Sequence, residues 1–282
     1  AIPIFVPAGQ TLLGINIPMA DPGQTASGAI TGEGTAVIQQ ASIAAGQNFS
    51  LSVVYTAGAA GIQSGGKVGM SVPPNFPFPY ASIYGSSVTA RSGSGLSAVN
   101  YAGPSVFVTL TSNLLPGATV GFEWSNVYAP CAVGSATFTV TSVSNGTASP
   151  APLFAGSPSV PVLAGAPAYF QLSSPYFAVK QNTLSDLNYL KSSDNCGNEV
   201  ALTAPKTVDL RSSFYNYGLG QFVLDPTLGL TTGAVVSTAS AIAVDFAVGQ
   251  SSHPFYVLSA STGFKNLEVH YNLLWDTTFY FG

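Results

Sequence analysis

The sequence predicts an all-β protein, with one or two antiparallel β-sandwich or jelly-roll-like domains behind an extended N-terminal strand. Three observations carry that expectation. Apolar residues recur with period 2 in segment after segment, Gly, Pro, Asn and Ser punctuate the intervals, and a single stretch reads with helical spacing. At 282 residues the chain has room for one large β core or two smaller ones, since sandwiches run well past roughly 150 residues per domain.

In chain order, residues 1–20 come first. Ile2, Ile4 and Val6 alternate, and Leu13, Ile15, Ile17 and Met19 do so after the AGQ break, so both pieces would present one apolar face as strands. Pro3, Pro7 and Pro18 cannot donate ladder hydrogen bonds and belong at edges, ends or breaks. Two readings follow. The segment is the first edge strand of its own sandwich, or a donor strand that fills a groove in the next subunit.

Residues 21–148 read as a β-sandwich domain. Phe49, Leu51, Val53 and Tyr55 alternate in NFSLSVVYT, Val106, Val108 and Leu110 in SVFVTLT, Val120, Phe122 and Trp124 in ATVGFEWS, and Ala136, Phe138 and Val140 in SATFTVTSV. Residues 149–176 space Pro150, Pro152, Pro158, Pro161, Pro167 and Pro175 through an apolar run. That spacing predicts an extended connector with edge-strand sections.

Residues 177–282 read as a second β domain or a continuation of the first sandwich. NTLSDLNYLKSSDN predicts one short helix, capped at Asn182 or Thr183, with Leu184, Leu187 and Leu190 three apart. Ile242, Val244 and Phe246 then alternate, as do Leu267, Val269, Tyr271, Leu273 and Trp275. No 20-to-50-residue repeat marks a solenoid.

Composition narrows the function classes. Apolar residues make up 46% and aromatics 11%, enough for a packed core and against disorder. Charged residues are 6%, where about 25% is ordinary. Every apolar run is broken well short of the ~18 residues of a spanning helix. With a net charge of -4 and no basic cluster, no nucleic-acid partner is expected. Charge is also uneven: Asp21, Glu33, Lys67, Arg91 and Glu123 are alone before residue 124, none occurs in 124–179, and the rest follow from Lys180. Few titratable groups imply a stability that varies weakly with pH.

Cys131 and Cys196 sit in the turn-like strings YAPCAVG and SSDNCGNE. A disulfide between them is expected, and with it an oxidising compartment. Asn48 in NFS and Asn145 in NGT are glycosylation candidates. Ala1 leads directly into IPIFVP with no basic n-region, so the expectation is an exported and processed chain.

The search for chemistry yields little, and neither a catalytic residue nor a cofactor is expected. His253 and His270 are the two histidines, each a lone residue in a turn or on the polar side of a strand. No G-x-S-x-G elbow occurs, and two Cys and two His do not make a zinc site. Asp194, Asn195, Asn198 and Glu199 surround Gly197, oxygen donors suited to calcium. The same residue types equally build an Asx turn that bonds its own backbone. Lys67 is the candidate for an isopeptide crosslink, against a Lys that lays its stem along the surface.

The stretch AIPIFVPAGQTLLGINIPMA, the charge-poor Ser/Thr/Ala/Gly-rich body and the two sequons resemble the secreted β-sandwich subunits of donor-strand extracellular filaments, including the thread-like filaments of acidophilic archaea. The resemblance implies an extracellular, non-catalytic structural subunit whose partners are copies of itself, joined by β-strand exchange into a filament or surface layer. One alternative is a secreted carbohydrate-binding or adhesion module, with Tyr80 and Tyr84 in PPNFPFPYASIY as a stacking face. A second alternative is an acid-active secreted hydrolase built on two carboxylates.

Overall fold

The computed structural model describes residues 29–79, 87–173, 179–233, 239–262, 265–271 and 274–281. All regular structure in them is β. The first twelve strands are β1 (Thr35–Ile38), β2 (Ile43–Ala44), β3 (Asn48–Thr56), β4 (Lys67–Ser71), β5 (Ser87–Ser92), β6 (Asn100–Ala102), β7 (Ser105–Thr109), β8 (Thr119–Tyr128), β9 (Gly134–Thr137), β10 (Thr139–Val143), β11 (Ala151–Pro152) and β12 (Ser159–Leu163). Nine more follow: β13 (Tyr169–Leu172), β14 (Asn188–Ser193), β15 (Lys206–Asn216), β16 (Gln221–Leu224), β17 (Leu228–Thr231), β18 (Ala241–Phe246), β19 (Ser252–Ser259), β20 (Lys265–Tyr271) and β21 (Leu274–Phe281).

Alternation decides which side chains go inside. In β3 the residues Leu51, Val53 and Tyr55 are buried while their neighbours are half-buried, and β8 does the same with Val120, Phe122 and Trp124. These two strands form the centre of a sheet ordered β1-β3-β8-β5. Facing it is a sheet ordered β11-β10-β4-β7-β6, which contributes Val68, Met70, Val106, Val108 and Val140 to the same apolar cluster. A small sheet, β2-β12-β9, holds the one parallel pair among the described strands, β2 with β12.

The second cluster is separate. Phe170, Leu172, Leu190, Leu228, Leu230, Phe255 and Val257 come from the sheet β13-β14-β19-β17, and Val208, Leu210, Val244, Phe246, Leu267 and Val269 from the sheet built on β15, β18 and β20. Sheet faces sheet in each cluster, as in a sandwich.

Two sequence expectations change. The helix expected from Asn182 to Leu190 does not form: 181–183 is a turn with Asn182 at φ 56, Leu184 bridges Leu258, and Asn188 starts β14. Leucines three apart fit a helix, but Leu190 gains complete burial by pairing between β13 and β19, and packing of that kind overrides propensity. The Pro-rich span 149–176 is extended yet supplies β11, β12 and β13. Pro152 lies on an edge strand, and Val160 and Val162 are buried in the first core. The crossing between cores is therefore 164–168. The residues expected as a donor strand, Ile2, Ile4, Val6, Leu13, Ile15 and Ile17, lie outside the described residues, as do Tyr80, Tyr84 and Leu273.

Candidate functional site

The two cores are fastened where the crossing passes. Cys131, in the β8–β9 loop, is bonded to Cys196, in the turn after β14, with Cα atoms 5.2 Å apart. Gly46 lies beside this bond at φ +64, and a side chain there would run into the Cys196 sulfur, so the position calls for glycine on both conformational and steric grounds. The Asn198 side-chain amide donates to the Cys131 carbonyl at 2.9 Å. Just before the crossing, Ala45 N–H donates to the Leu163 carbonyl at 2.8 Å.

Asp194 organises the turn. Its Oδ1 accepts from the N–H groups of Cys196 and Asn198, both at 2.9 Å. Its Oδ2 accepts from Gly165 N–H at 2.7 Å and from the Asn198 amide at 3.0 Å. Burial alone would push this carboxyl up, but the donors from Asn198, Gly165 and Cys196 outweigh it and hold the pKa below the ordinary aspartate value. Gly165 belongs to the crossing, so a carboxylate of the second unit holds the segment that leaves the first.

That geometry gives Asn195, Glu199 and the bonded pair of Asp194 and Asn198 separate surroundings. Both Asp194 oxygens are engaged by N–H donors, Asn195 points to the exposed surface, and Glu199 turns instead to Lys191 at 2.9 Å and the Ser251 hydroxyl at 2.6 Å. The hydroxyl first and the ammonium second lower the Glu199 pKa. Among the described residues no group of three or more His, Cys, Asp or Glu could hold a metal ion. The Asx turn is satisfied from within the protein: two N–H groups of the turn itself, the Asn198 side-chain amide and the Gly165 N–H of the crossing supply its four donors.

Of the other candidates, Asn48 is exposed at the start of β3. Asn145 is half-buried, its side-chain oxygen taking the N–H and hydroxyl of Thr147 at 3.0 and 2.6 Å. Lys67 lies 5.7 Å from the centre of the Phe107 ring, with no carboxylate within 4.0 Å of its ammonium among the described residues. His253 is in β19 rather than in a turn, its Nδ1 2.9 Å from the Pro254 carbonyl.

A constellation not anticipated from the sequence lies on the face of β15 and β20 turned away from the second core. The register sets Asp209 opposite His270, Arg211 opposite Glu268 and Ser213 opposite Asn266. Arg211 pairs with Asp209 at 2.9 Å. Glu268, 4% exposed, takes the Ser213 hydroxyl on one oxygen and His270 Nε2 at 2.9 Å on the other. Alternation in TVDLRSS and NLEVHY puts these residues on polar faces, but only the strand register brings them together. The serine bonds the carboxylate and not the histidine, so the trio lacks the nucleophile–base contact that activates a hydroxyl.

At the far end of β15 the hairpin into β16 is apolar and open to solvent. Tyr217 is 90% exposed, Leu219 63% and Leu224 51%, and no charged residue occurs from 212 to 224. The Asn216 side chain caps the turn, accepting from Gly218 N–H at 2.9 Å.

No known protein family and no curated protein matches the chain. Among solved structures it is similar to the C-terminal domain of the Streptococcus pyogenes antigen I/II-family protein AspA, at 10% identity and a TM-score of 0.36, over 88% of this chain and 98% of that one. It is also similar to the Enterococcus faecalis MSCRAMM ACE, at 11% identity and a TM-score of 0.30, over 89% and 93%. For the Yersinia pseudotuberculosis adhesin InvE the values are 14% and 0.26, over 88% of this chain and 58% of that one. Likenesses this distant say nothing of what the chain binds.

Proposed function

We propose that the chain is an extracellular, non-catalytic structural subunit whose copies join through β-strand pairing. The observation that carries this reading is a long sheet edge open on one side. Among the described residues β21, eight residues long, pairs on one side only, with β20; it carries no proline, and its one charge, Asp276, falls at a register shift opposite Val269 and His270. Natural edge strands are ordinarily short or blunted by charge, proline or bulges. An edge of this length accepts an added strand, whose backbone supplies the hydrogen bonds and whose alternate side chains supply selectivity. The disulfide supports an oxidising location.

Electron microscopy and sedimentation of the full chain beside a version lacking residues 1–20 test the proposal. Polymers from the first and folded monomers from the second are expected. Folded monomers from both would end it.

A second reading, a secreted adhesion or carbohydrate-binding module, is favoured by the exposed hairpin end, where Tyr217 and Leu219 offer a flat apolar surface. Binding of a stable monomer to a glycan array, lost in Tyr217→Ala, would select it over assembly.

A further inference from the structure

Beside the crossing, a cleft of about 300 Å³ opens in the second unit, within the range of small-molecule sites. Pro167 of the crossing, Phe170 of β13, Leu202 and Tyr271 give it apolar and aromatic walls. Phe170 and Tyr271 meet edge to face, ring centres 5.4 Å apart.

Two polar groups in the lining stand out. Among the described residues Lys206 is its one charged residue, and its ammonium lies 4.9 Å from the centre of the Tyr271 ring with no carboxylate of those residues within 4.0 Å. Arg91, Lys191 and Arg211, by contrast, are each paired with an acid. Ser192 is 1% exposed and its hydroxyl has no hydrogen-bond partner. A buried hydroxyl without a partner is costly, and nearly all such groups in folded proteins are satisfied.

We propose that this cleft binds a small organic monocarboxylate with an aromatic or branched aliphatic body. The Lys206 ammonium receives the carboxylate, the Ser192 hydroxyl, closed to solvent, turns to that carboxylate for the hydrogen bond it lacks, and Phe170, Leu202, Pro167 and Tyr271 enclose the body. Among the described residues no acidic group lines the cleft, so an anion entering it meets no like charge from them, and a neutral molecule of the same shape forgoes the ammonium contact. The site is independent of how the chain assembles.

Ligand-observed fluorine NMR on the oxidised full chain, with 4-fluorobenzoate as probe and 4-fluorobenzamide as its neutral isostere, provides the test. Saturable benzoate binding in the millimolar range or tighter is expected, with the amide about tenfold weaker, a difference of about 1.4 kcal/mol. Lys206→Gln should weaken benzoate about tenfold and leave the amide unchanged. Ser192→Ala should weaken benzoate severalfold while its thermal midpoint stays at or above that of the parent, because it removes an unsatisfied group.

No saturation by benzoate up to about 20 mM overturns the proposal, that being weaker than any millimolar site. So does equal affinity for acid and amide. A marked fall in the Ser192→Ala midpoint would show that the hydroxyl already has a partner and would remove the second leg of the inference. Tighter binding of galacturonate than of benzoate would replace the apolar body with a sugar and overturn that assignment.

Discussion

The two units solve the same folding problem with different materials. Among the described residues the first core contains 27 buried apolar side chains and the second 14. Buried polar residues run the other way: Ser142 stands alone in the first unit, against eleven in the second, from Asn188 through Glu268. The first unit is held by apolar burial, which is non-directional and tolerant of exchange. The second leans more on hydrogen bonds among buried groups, since each such group left unpaired costs about 1–3 kcal/mol. A charge-poor chain can thus be oily in one half and networked in the other.

The largest expected effect comes from striking the oily half. Trp124, fully buried against Phe76 at 6.3 Å between ring centres, should cost about 3–5 kcal/mol when replaced by alanine. In a variant whose disulfide is also removed, urea unfolding followed by far-UV circular dichroism should show the first unit's transition falling while the second stays in place. A common shift of both transitions would show that the two cores are one cooperative unit.

Next in size is the fastening itself. Replacing Cys131 and Cys196 by serine opens a 65-residue separation, for which the loop-entropy account gives about 4 kcal/mol. Calorimetry should resolve two transitions in the variant where the parent shows one. A single unchanged transition would mean that the crossing and the Asp194 bonds couple the units without it.

A smaller change probes the networked half. The Ser212 hydroxyl lies within 3.1 Å of the carbonyls of Asp225, Leu228 and Ser240, fully buried in an otherwise apolar face. Ser212→Ala should destabilise the second unit by about 1–3 kcal/mol, whereas a packing-dominated core would absorb the lost oxygen with a change below about 0.5 kcal/mol.

The gentlest test is pH. The Asp194 carboxyl titrates lower in the folded protein than in the unfolded chain, so the unfolded state binds the proton first. Its contribution is complete above the unfolded value of about 3.9 and is lost as pH falls through the folded one. Between pH 6 and pH 2 the urea midpoint should drop more steeply for the parent than for Asp194→Asn, the two converging in acid. Parallel profiles would remove Asp194 from its role.

Much of the first unit was legible in the sequence. Leu51, Val53, Tyr55, Val106, Val108, Val120, Phe122, Trp124, Phe138 and Val140 alternate in the string and are buried in the core, because a strand's side-chain period is fixed by covalent geometry whatever it packs against. Asp194, Asn198 and Gly197 were visible as a turn or a cation site, and the approach of the Gly165 and Cys196 N–H groups was legible in neither. The leucines at 184, 187 and 190 misled for the same reason: their spacing is local, and the strands that claim Leu190 come from far along the chain.

By itself the sequence determined the all-β class, the alternating core residues and the scarcity of charge, all of which follow from local geometry and composition. Tertiary structure alone decided which sheets share a core, that Glu268 lies between Ser213 and His270, and that Lys206 and Ser192 line one cleft. These are contacts between distant segments, and strand register, which no local spacing encodes, sets them.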